Sequence, residues 1–213
     1  TIRRQLWMCI SDSISQHPHL LHTSEHFEDA FLGHQHLALD TVGDFIIRRK
    51  DRLFSYQLAV AIDDSFQQIT HVIRGQDLLN STYRQRYLLL LLQAQRPRLT
   101  APLSDNSIAA TDINSLPQYG HTPLALGDDG HKLSKQTKAC PIDNAQAAKN
   151  LLTALIFLGH RPPGEFFTRA LSNHLDGNRN QQHCSEILDW AIVNWNRDKV
   201  PIDSSVAPTL GDA

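Results

Sequence analysis

The sequence predicts an α/β protein, in which part of an α/β sheet is followed by a small helical unit. Short β-branched segments alternate with helical periodicity between residues 44 and 95, and three helical segments follow one another from residue 145 onward. Alternating strands and helices are typical of α/β sheets, whereas consecutive helices pack on one another.

The composition is that of an ordinary globular protein. Apolar residues make up 41% of the 213 residues, charged residues make up 20%, and the net charge is −2. A near-neutral chain has no overall basic charge that would indicate nucleic acid, although a local basic face could still bind RNA. The candidates for such a face, each of which also fits solvated surface charge, are Arg84, Arg86, Arg96, Arg98, Lys132, Lys135 and Lys138.

The cysteines and the apolar runs indicate a cytoplasmic protein. Cys9, Cys140 and Cys184 are far apart and form no Cys-x-x-Cys motif, so no disulfide framework is expected. No signal peptide opens the chain. The longest apolar run, residues 88–92, is much shorter than the roughly 20 residues that span a bilayer.

Residues 1–43 are predicted to form a connecting segment that is partly helical and partly irregular. A helix is possible over residues 3–14, and a polar stretch rich in histidine follows it. The histidines lack paired cysteines or carboxylates at metal-ligand spacing, and only His22 and His26 share a helical face. No metal site is predicted here, although a metal-binding cluster is the alternative interpretation of His17, His19, His22, His26, His34 and His36.

Residues 44–69 predict a hairpin followed by a helix. A short strand at 45–47, a charged turn and a return strand at 53–55 make up the hairpin. Apolar residues then recur at three- and four-residue spacing from Leu58 to Ile69, which predicts an amphipathic helix. A strand at residues 60–62 is the alternative.

The next segment predicts a strand, a helix and a long loop. Residues 70–74 are β-branched and end at Gly75, and residues 80–82 offer an N-cap for a helix over 83–95. Residues 96–122 are rich in Pro, Ser, Thr, Asn and Asp. They are too long for a tight connection and predict an insertion or a mobile loop.

The last third begins with a short strand at 123–126 and a glycine-bounded turn, directly before the sequence Lys-Leu-Ser-Lys-Gln at 132–136. A helical unit over residues 141–203 follows, and the tail from Ser204 is predicted to be disordered. The predicted helices of this unit cover residues 145–158, 165–175 and 184–195.

The lysine loop is a candidate polyphosphate site. Lys132 and Lys135 lie three residues apart on either side of Ser134, so two ammonium groups and a hydroxyl could reach one polyphosphate. When a carboxylate attacks the α-phosphate of ATP, negative charge builds on the departing pyrophosphate, and mobile cations stabilise that charge. Taken alone, the pentapeptide also fits an exposed lysine-rich turn.

Three further positions are candidates for substrate binding. Arg74 ends a predicted strand, where its planar guanidinium could bind a carboxylate, while a salt bridge with Asp77 is the alternative. Tyr56 begins the amphipathic helix and could present its hydroxyl to the same cleft, although taken alone it fits a core aromatic better. The pair Asp63 and Asp64 fits a metal or ribose ligand and equally a solvated helix surface.

The order and spacing of these blocks resemble the glutamyl-tRNA synthetase group of class I aminoacyl-tRNA synthetases. The blocks are Y-x-L-A-V-x-x-D-D from Tyr56, I-T-H-V-I-R-G-x-D-L-L-x-S-T-x-R-Q from Ile69 and L-A-L-x-x-x-G-x-K-L-S-K-Q from Leu124. The resemblance covers residues 44–95 and 121–201, and the lysine loop is similar to the KMSKS loop of that class.

Within this group the chain is most similar to the short paralogues, the glutamyl-Q tRNA(Asp) synthetases. Its lysine loop ends in Gln136, where the full-length synthetases usually have arginine. Because the sequence ends soon after this loop, we expect no large helical anticodon-binding region.

The resemblance implies a fold and a reaction. Residues 44–140 would be the second half of a Rossmann-type catalytic domain. The implied reaction activates L-glutamate with ATP and Mg²⁺ and transfers it to the queuosine base of tRNA(Asp), a tRNA modification carried out by a monomer. The implied glutamate-binding residues are Tyr56 and Arg74, and the implied ATP-binding and catalytic residues are Lys132, Ser134 and Lys135.

Two features of the family are missing from this sequence. One is the N-terminal half with its HIGH-type signature, and the other is the set of zinc ligands, because Cys9 is the only cysteine before Cys140. We therefore expect that Thr1 opens a fragment that is inactive alone, with a degenerate gene product as the other explanation. The functional alternatives are a truncated glutamyl-tRNA synthetase and a non-catalytic remnant that binds tRNA or a protein partner.

Overall fold

The computed structural model describes residues 6–8, 25–99, 116–134, 139, 141–171 and 177–206. These residues divide into two compact units, Thr1–His121 and Thr122–Ala213. No helix among the described residues is long and apolar enough to cross a membrane. The strands are β1 (Leu6–Met8), β2 (Glu25–Asp29), β3 (Gly33–Leu37), β4 (Phe45–Arg48), β5 (His71–Gly75), β6 (Gln118–Thr122), β7 (Ala125–Leu126) and β8 (Ser205–Val206). The helices are α1 (Leu39–Val42), α2 (Tyr56–Phe66), α3 (Leu79–Leu99), α4 (Ala147–Phe157), α5 (Gly164–Leu171) and α6 (Gly177–Asn194).

The first unit is built around a four-stranded sheet in the order β3-β2-β6-β5. Strands β2 and β3 form an antiparallel hairpin, whereas β2 and β6 run parallel, with Asp29 paired to Tyr119. Helices α2 and α3 pack on each other in the same unit. This mixture of strands and helices confirms the predicted α/β fold class.

Two predictions for the first 43 residues are wrong. Residues 6–8 form strand β1, which pairs antiparallel with β4, and not part of a helix. The histidine-rich stretch contains the hairpin β2–β3 and not only irregular chain. In both places backbone pairing with a neighbouring strand outweighs local propensity, which is a weak guide for short segments.

The prediction of a loop over residues 96–122 is also wrong at its two ends. Helix α3 continues to Leu99, and residues 118–122 form β6, which lies between β2 and β5 in the sheet. A strand with a neighbour on both sides satisfies its backbone groups there, although its sequence is polar. Residues 100–115 of the predicted loop lie outside the described part of the chain.

The predicted hairpin, helix and strand of residues 44–75 are confirmed. The amide of Arg49 donates to Leu53 at 2.7 Å and that of Ser55 donates to Ile47 at 2.9 Å, which closes the hairpin. Ser55 is the N-cap of α2, and its Oγ accepts from the amide of Leu58. The alternative of a strand at 60–62 is therefore wrong, because these residues lie inside α2.

The predicted N-cap at residues 80–82 is wrong. A short 3₁₀ turn, Gln76–Leu78, leads directly into α3 at Leu79, so Thr82 lies within the helix. The Thr82 hydroxyl lies 3.3 Å from the carbonyl oxygen of Leu78, the contact that a threonine makes inside a helix.

The apolar core of the first unit lies between the sheet and the helices. Phe27 on β2 contacts Tyr83 of α3 and Tyr119 of β6, with ring centroids 5.5 and 5.9 Å apart. Part of the leucine run of α3 faces inward as predicted. The buried members of this core are Phe27, Val42, Phe45, Ala61, Tyr83, Tyr87, Leu88, Leu89 and Tyr119.

The second unit is mainly helical, but it begins at Thr122 and not at the predicted residue 141, so it also includes β7. Helix α4 packs against α5 and α6, and its buried residue Leu152 lies with Phe166 and Ile187 in one apolar cluster. Helix α6 begins seven residues earlier than predicted, at Gly177, and α5 is described as far as Leu171. His183 on α6 is buried in this unit, and burial lowers its pKa.

The predicted disordered tail is wrong for its first residues. Ser205 and Val206 form β8, which pairs parallel with β7, and the Ser204 Oγ accepts from the amide of Leu124 at 2.9 Å. Residues 207–213 lie outside the described part.

A tight corner after α4 depends on Gly159. Gly159 has φ +79°, and a Cβ placed on it would meet the carbonyl oxygen of Lys199 at only 2.0 Å. The corner is also held by His160, which is buried, stacks on Trp195 and accepts at Nε2 from the amide of Asn196 at 3.0 Å.

We expect Gly159→Ala to lower the free energy of unfolding by about 3 kcal/mol, because it adds a backbone clash to the cost of a positive φ. The matched control is Gly130→Ala, since Gly130 has φ +74° and no atom within 4 Å of a Cβ. It should lose only about 1 kcal/mol. Urea unfolding of both variants measures the difference, and equal losses would contradict the role of the Lys199 contact.

Candidate functional site

The guanidinium of Arg74, the predicted glutamate-binding arginine, lies in a half-buried polar network. Its Nη2 donates to the Thr82 Oγ1 at 2.5 Å and to the Gln85 Oε1 at 2.8 Å. Its Nε lies 3.5 Å from the His121 Nε2. The guanidinium also lies over the ring of Tyr119, 5.5 Å from its centroid, at a distance suited to a cation–π contact.

Three different elements bring these groups to Arg74. Arg74 itself lies on β5, and His121 lies on the neighbouring strand β6. Thr82 and Gln85 lie three residues apart on α3, so they share one face of the helix. The arginine is therefore held by a strand on one side and by a helix on the other.

His121 connects this network to a buried carboxylate. Its Nε2 lies 2.8 Å from the Thr82 Oγ1, and its Nδ1 lies 2.5 Å from the Asp29 Oδ2. The side chains of His121 and Asp29 are both fully buried. A buried charge is costly unless it is paired and hydrogen-bonded, and Asp29 has both kinds of partner.

Backbone amides saturate the other oxygen of Asp29. Its Oδ1 accepts from the amides of Phe31, Leu32 and His121, each at 3.0 Å. Burial raises the pKa of Asp29, but the hydrogen bond from the His121 side chain and those from the three amides outweigh burial, so the net pKa is lowered. The carboxylate form of Asp29 is thus the one that the fold selects.

Tyr56 and the two aspartates lie on α2. Tyr56 is the first residue of the helix and is 49% exposed, which disfavours the alternative of a core aromatic. Asp64 is half-buried, and burial raises its pKa while the nearby Arg74 lowers it and Asp63 raises it further. The net pKa of Asp64 is raised. A ribose or metal contact of Asp63 and Asp64 stays a prediction.

The described part of the lysine loop follows a short, well-anchored turn. Leu126 and Lys132 form an isolated antiparallel bridge, and the amide of Leu133 donates to Ala125 at 2.9 Å. Lys132 is exposed and Ser134 is half-buried, whereas Lys135 and Gln136 lie outside the described residues. Tyr56 and Arg74 belong to the first unit and Lys132 and Ser134 to the second, so their meeting at one substrate stays a prediction.

The residues of the polar network were only partly accessible from sequence. Asp29 and His121 lie in segments predicted to be irregular and looped, and no motif identified them as partners. One signal was present, because Phe27 and Asp29 alternate with polar neighbours in the two-residue period of a strand. Thr82 and Gln85 fall within the second sequence block, although the sequence pattern predicts that Thr82 caps the helix and not that it contacts Arg74.

The other candidate surfaces have structural explanations. Arg84 lies 5.9 Å from the ring centroid of Phe45, and Arg86 lies 4.9 Å from that of Phe27, so both pack on core aromatics. The side chains of Arg96 and Arg98, and Lys138 as a whole, lie outside the described part. Among the described residues, no group of three His, Cys, Asp or Glu is arranged to hold a metal ion.

Comparison with known proteins identifies the lineage. Residues 21–109, which include Tyr56 and Arg74, match the family model of the catalytic domain of class I tRNA synthetases (E and Q). The glutamyl-Q tRNA(Asp) synthetase of Pseudomonas aeruginosa is 40% identical over 167 residues, which are 78% of this chain and 45% of that protein. The chain is a relative of the class I glutamyl-tRNA synthetase group. The resemblance inferred from the sequence blocks is thereby confirmed.

Other relatives give the same result. The glutamyl-Q tRNA(Asp) synthetase of Colwellia psychrerythraea is 42% identical over 74% of this chain and 41% of its own length. That of Ectopseudomonas mendocina is 39% identical over 85% of this chain and 51% of its own length. The chain thus spans about half the length of the curated relatives it matches. Among solved structures, a glutamate tRNA ligase from Elizabethkingia meningosepticum in complex with its amino acid has a TM-score of 0.45 at 18% identity, over 86% of this chain and 34% of that one.

We expect Asp29→Asn to lower the free energy of unfolding at pH 7 by about 3 kcal/mol, because it removes one partner of a buried, charge-assisted contact. The pKa of Asp29 is lowered in the fold. Its stabilising contribution is therefore complete above the ordinary carboxyl pKa and is lost as the pH falls through the lowered pKa.

The difference in stability between wild type and Asp29→Asn should accordingly shrink in acid. The matched control is Asp44→Asn, since Asp44 is exposed. Urea unfolding at several pH values between 7 and 3 checks both points. A difference that stays constant over that range would show that the Asp29 charge does not contribute.

Proposed function

We propose that the chain supplies part of the active site of a tRNA-modifying ligase that activates L-glutamate with ATP and transfers it to the queuosine base of tRNA(Asp). The observation that supports this proposal most strongly is the match to glutamyl-Q tRNA(Asp) synthetases over about three quarters of the chain. The network around Arg74 adds support, because it holds a guanidinium suited to a carboxylate ligand.

The proposed reaction has two steps. The α-carboxylate of glutamate attacks the α-phosphate of ATP, so that glutamyl-adenylate forms and pyrophosphate leaves. The glutamyl group is then transferred to the queuosine base, and AMP leaves. ATP enters with Mg²⁺, which accompanies the nucleotide in this class.

The side chains would act at different parts of the substrates. The planar fork of Arg74 would bind a glutamate carboxylate, and the exposed hydroxyl of Tyr56 would contact the same amino acid. Lys132, Ser134 and Lys135 would contact the ATP phosphates, and the positive charges of the two lysines would stabilise the leaving pyrophosphate more strongly than the bound ATP.

We further propose that this activity requires the part of the family sequence that the chain does not match. The relatives are about twice as long as the region they share with it. The 213-residue chain alone should therefore form no glutamyl-adenylate. The proposal includes no zinc ion, and the described residues contain no group of three metal-ligating side chains. We also propose that the protein acts as a monomer in the cytoplasm.

Glutamate-dependent exchange of pyrophosphate into ATP tests the activation step. The chain fused to the unmatched part of the Pseudomonas aeruginosa relative should catalyse this exchange without tRNA. Lys135→Ala in this fusion should reduce the rate on the order of 10²-fold, because it removes a charge that stabilises the transition state. Lys50→Ala, in the exposed turn after β4, is the control and should leave the rate unchanged.

The alternatives predict different results in the same system. A folded fusion that activates no amino acid would overturn the proposal and favour a non-catalytic remnant, which should still bind tRNA in a salt-dependent way. Transfer of radioactive glutamate to tRNA(Glu), and not to tRNA(Asp) with queuosine, would favour a truncated glutamyl-tRNA synthetase. Exchange activity of the unfused chain would overturn the requirement for the second part.

A further inference from the structure

Two buried side chains, His121 and Thr82, connect the buried carboxylate of Asp29 to the guanidinium of Arg74 in one continuous series of contacts. Asp29 is 4% exposed, and His121 and Thr82 are not exposed at all. The successive distances are 2.5 Å from Asp29 Oδ2 to His121 Nδ1, 2.8 Å from His121 Nε2 to Thr82 Oγ1, and 2.5 Å from Thr82 Oγ1 to Arg74 Nη2. We call Asp29, His121 and Thr82 the relay.

The partners at each end fix the direction of the hydrogen bonds. Arg74 has only donors, so the Thr82 oxygen accepts from it and the Thr82 proton must go elsewhere. The nearest acceptor for that proton is the His121 Nε2 at 2.8 Å, whereas the Leu78 carbonyl is 3.3 Å away. His121 then carries its proton on Nδ1 and donates it to Asp29, which is an acceptor as the carboxylate.

The arrangement resembles the Asp-His-Ser order of a nucleophilic triad, but Thr82 is unsuited to attack a substrate. Its oxygen is fully buried and already accepts a hydrogen bond from a cation, which draws electron density away from it. A nucleophile needs access to the reacting atom and an activated lone pair. The relay is therefore better suited to hold Arg74 than to react.

The charges of the series also balance. The Asp29 carboxylate and the Arg74 guanidinium lie at opposite ends, and the side chains of His121 and Thr82 join them. Burial of each charge is offset by hydrogen bonds to the next group. Removing the Thr82 hydroxyl would break the contact through Thr82 and leave only the longer contact of 3.5 Å between the Arg74 Nε and the His121 Nε2.

We propose that Asp29, His121 and Thr82 are positioning residues that fix the plane of the Arg74 guanidinium before a ligand binds. This proposal rests on the proposed function in one respect, namely that Arg74 binds the glutamate carboxylate. A guanidinium fixed in advance loses less conformational freedom on binding, so it binds a carboxylate more tightly than a mobile one.

Proton exchange at the Arg74 Nη2, the nitrogen that donates to Thr82, tests the relay directly when it is measured by NMR on the ¹⁵N-labelled 213-residue chain. The Arg74 signal is assigned by its absence in Arg74→Lys. In Thr82→Val, which keeps the shape and removes the hydroxyl, the exchange should be about tenfold faster or more, as expected for the loss of a hydrogen bond to a charged group. Thr82→Ser restores the hydroxyl and should restore slow exchange.

Thr153→Val is the matched control. The Thr153 Oγ1 donates to the Lys149 carbonyl at 2.9 Å, four residues earlier in helix α4, in the way that Thr82 contacts Leu78. This variant removes the same kind of helix contact without touching Arg74, so its Arg74 signal should match wild type. Circular dichroism and the other amide signals verify that each variant is folded.

The outcomes separate the relay from the proposed function. Unchanged Arg74 exchange in folded Thr82→Val, or equally fast exchange in Thr82→Ser and Thr82→Val, would overturn the relay. Faster Arg74 exchange in Thr82→Val that Thr82→Ser does not show supports the relay. If Thr82→Val does not fold, the Arg74 exchange of Asp29→Asn is compared with that of wild type instead, and faster exchange is again expected. Titration with L-glutamate is read separately: an Arg74 signal that moves supports the carboxylate role, and one that stays fixed counts against that role but leaves the relay intact.

Discussion

The buried carboxylate of Asp29 is the constraint on which the rest of the first unit depends. A carboxylate away from water must receive a full set of hydrogen bonds, and Asp29 receives them from three backbone amides and from the ring of His121. These bonds require strands β2 and β6 to lie side by side with Asp29 opposite Tyr119. A shift of one residue would turn His121 to the opposite face of the sheet, so the polar contact sets the register as firmly as the apolar core does.

The same contact determines where the candidate site lies. His121 reaches from β6 to Thr82 on α3, and Thr82 reaches Arg74 on β5, so one chain of hydrogen bonds joins two strands and a helix. The early start of α3 follows from this arrangement, because Thr82 and Gln85 share a helix face toward Arg74 only when both lie inside the helix. The guanidinium of Arg74, the proposed carboxylate-binding group, is thus held by Thr82 and Gln85 of one helix.

The sequence predicted the elements with clear local signals and missed those that depend on distant partners. Helix α2 has a regular apolar period and a serine cap, and β5 is β-branched and ends at a glycine, so both were predictable. Strand β6 is polar, and its strand character comes from having β2 and β5 on either side, which no local pattern reveals. The role of Asp29 was hidden for the same reason, since its principal partner His121 is 92 residues away. Arg74 could be proposed as a substrate-binding residue from the sequence because several blocks occur in the family order, whereas the residues that contact it required the fold.

The position of the proton on the His121 ring decides whether the Asp29 carboxylate is linked to Arg74 through Thr82. Multiple-bond ¹H–¹⁵N NMR of the imidazole ring at neutral pH, in the folded chain, distinguishes a protonated nitrogen from one with a free lone pair. We predict a proton on Nδ1, which donates to Asp29, and a lone pair on Nε2 that accepts from Thr82. A proton on Nε2 would reverse the hydrogen bond to Thr82, and Asp29 would then not be linked to Arg74 in the way described here.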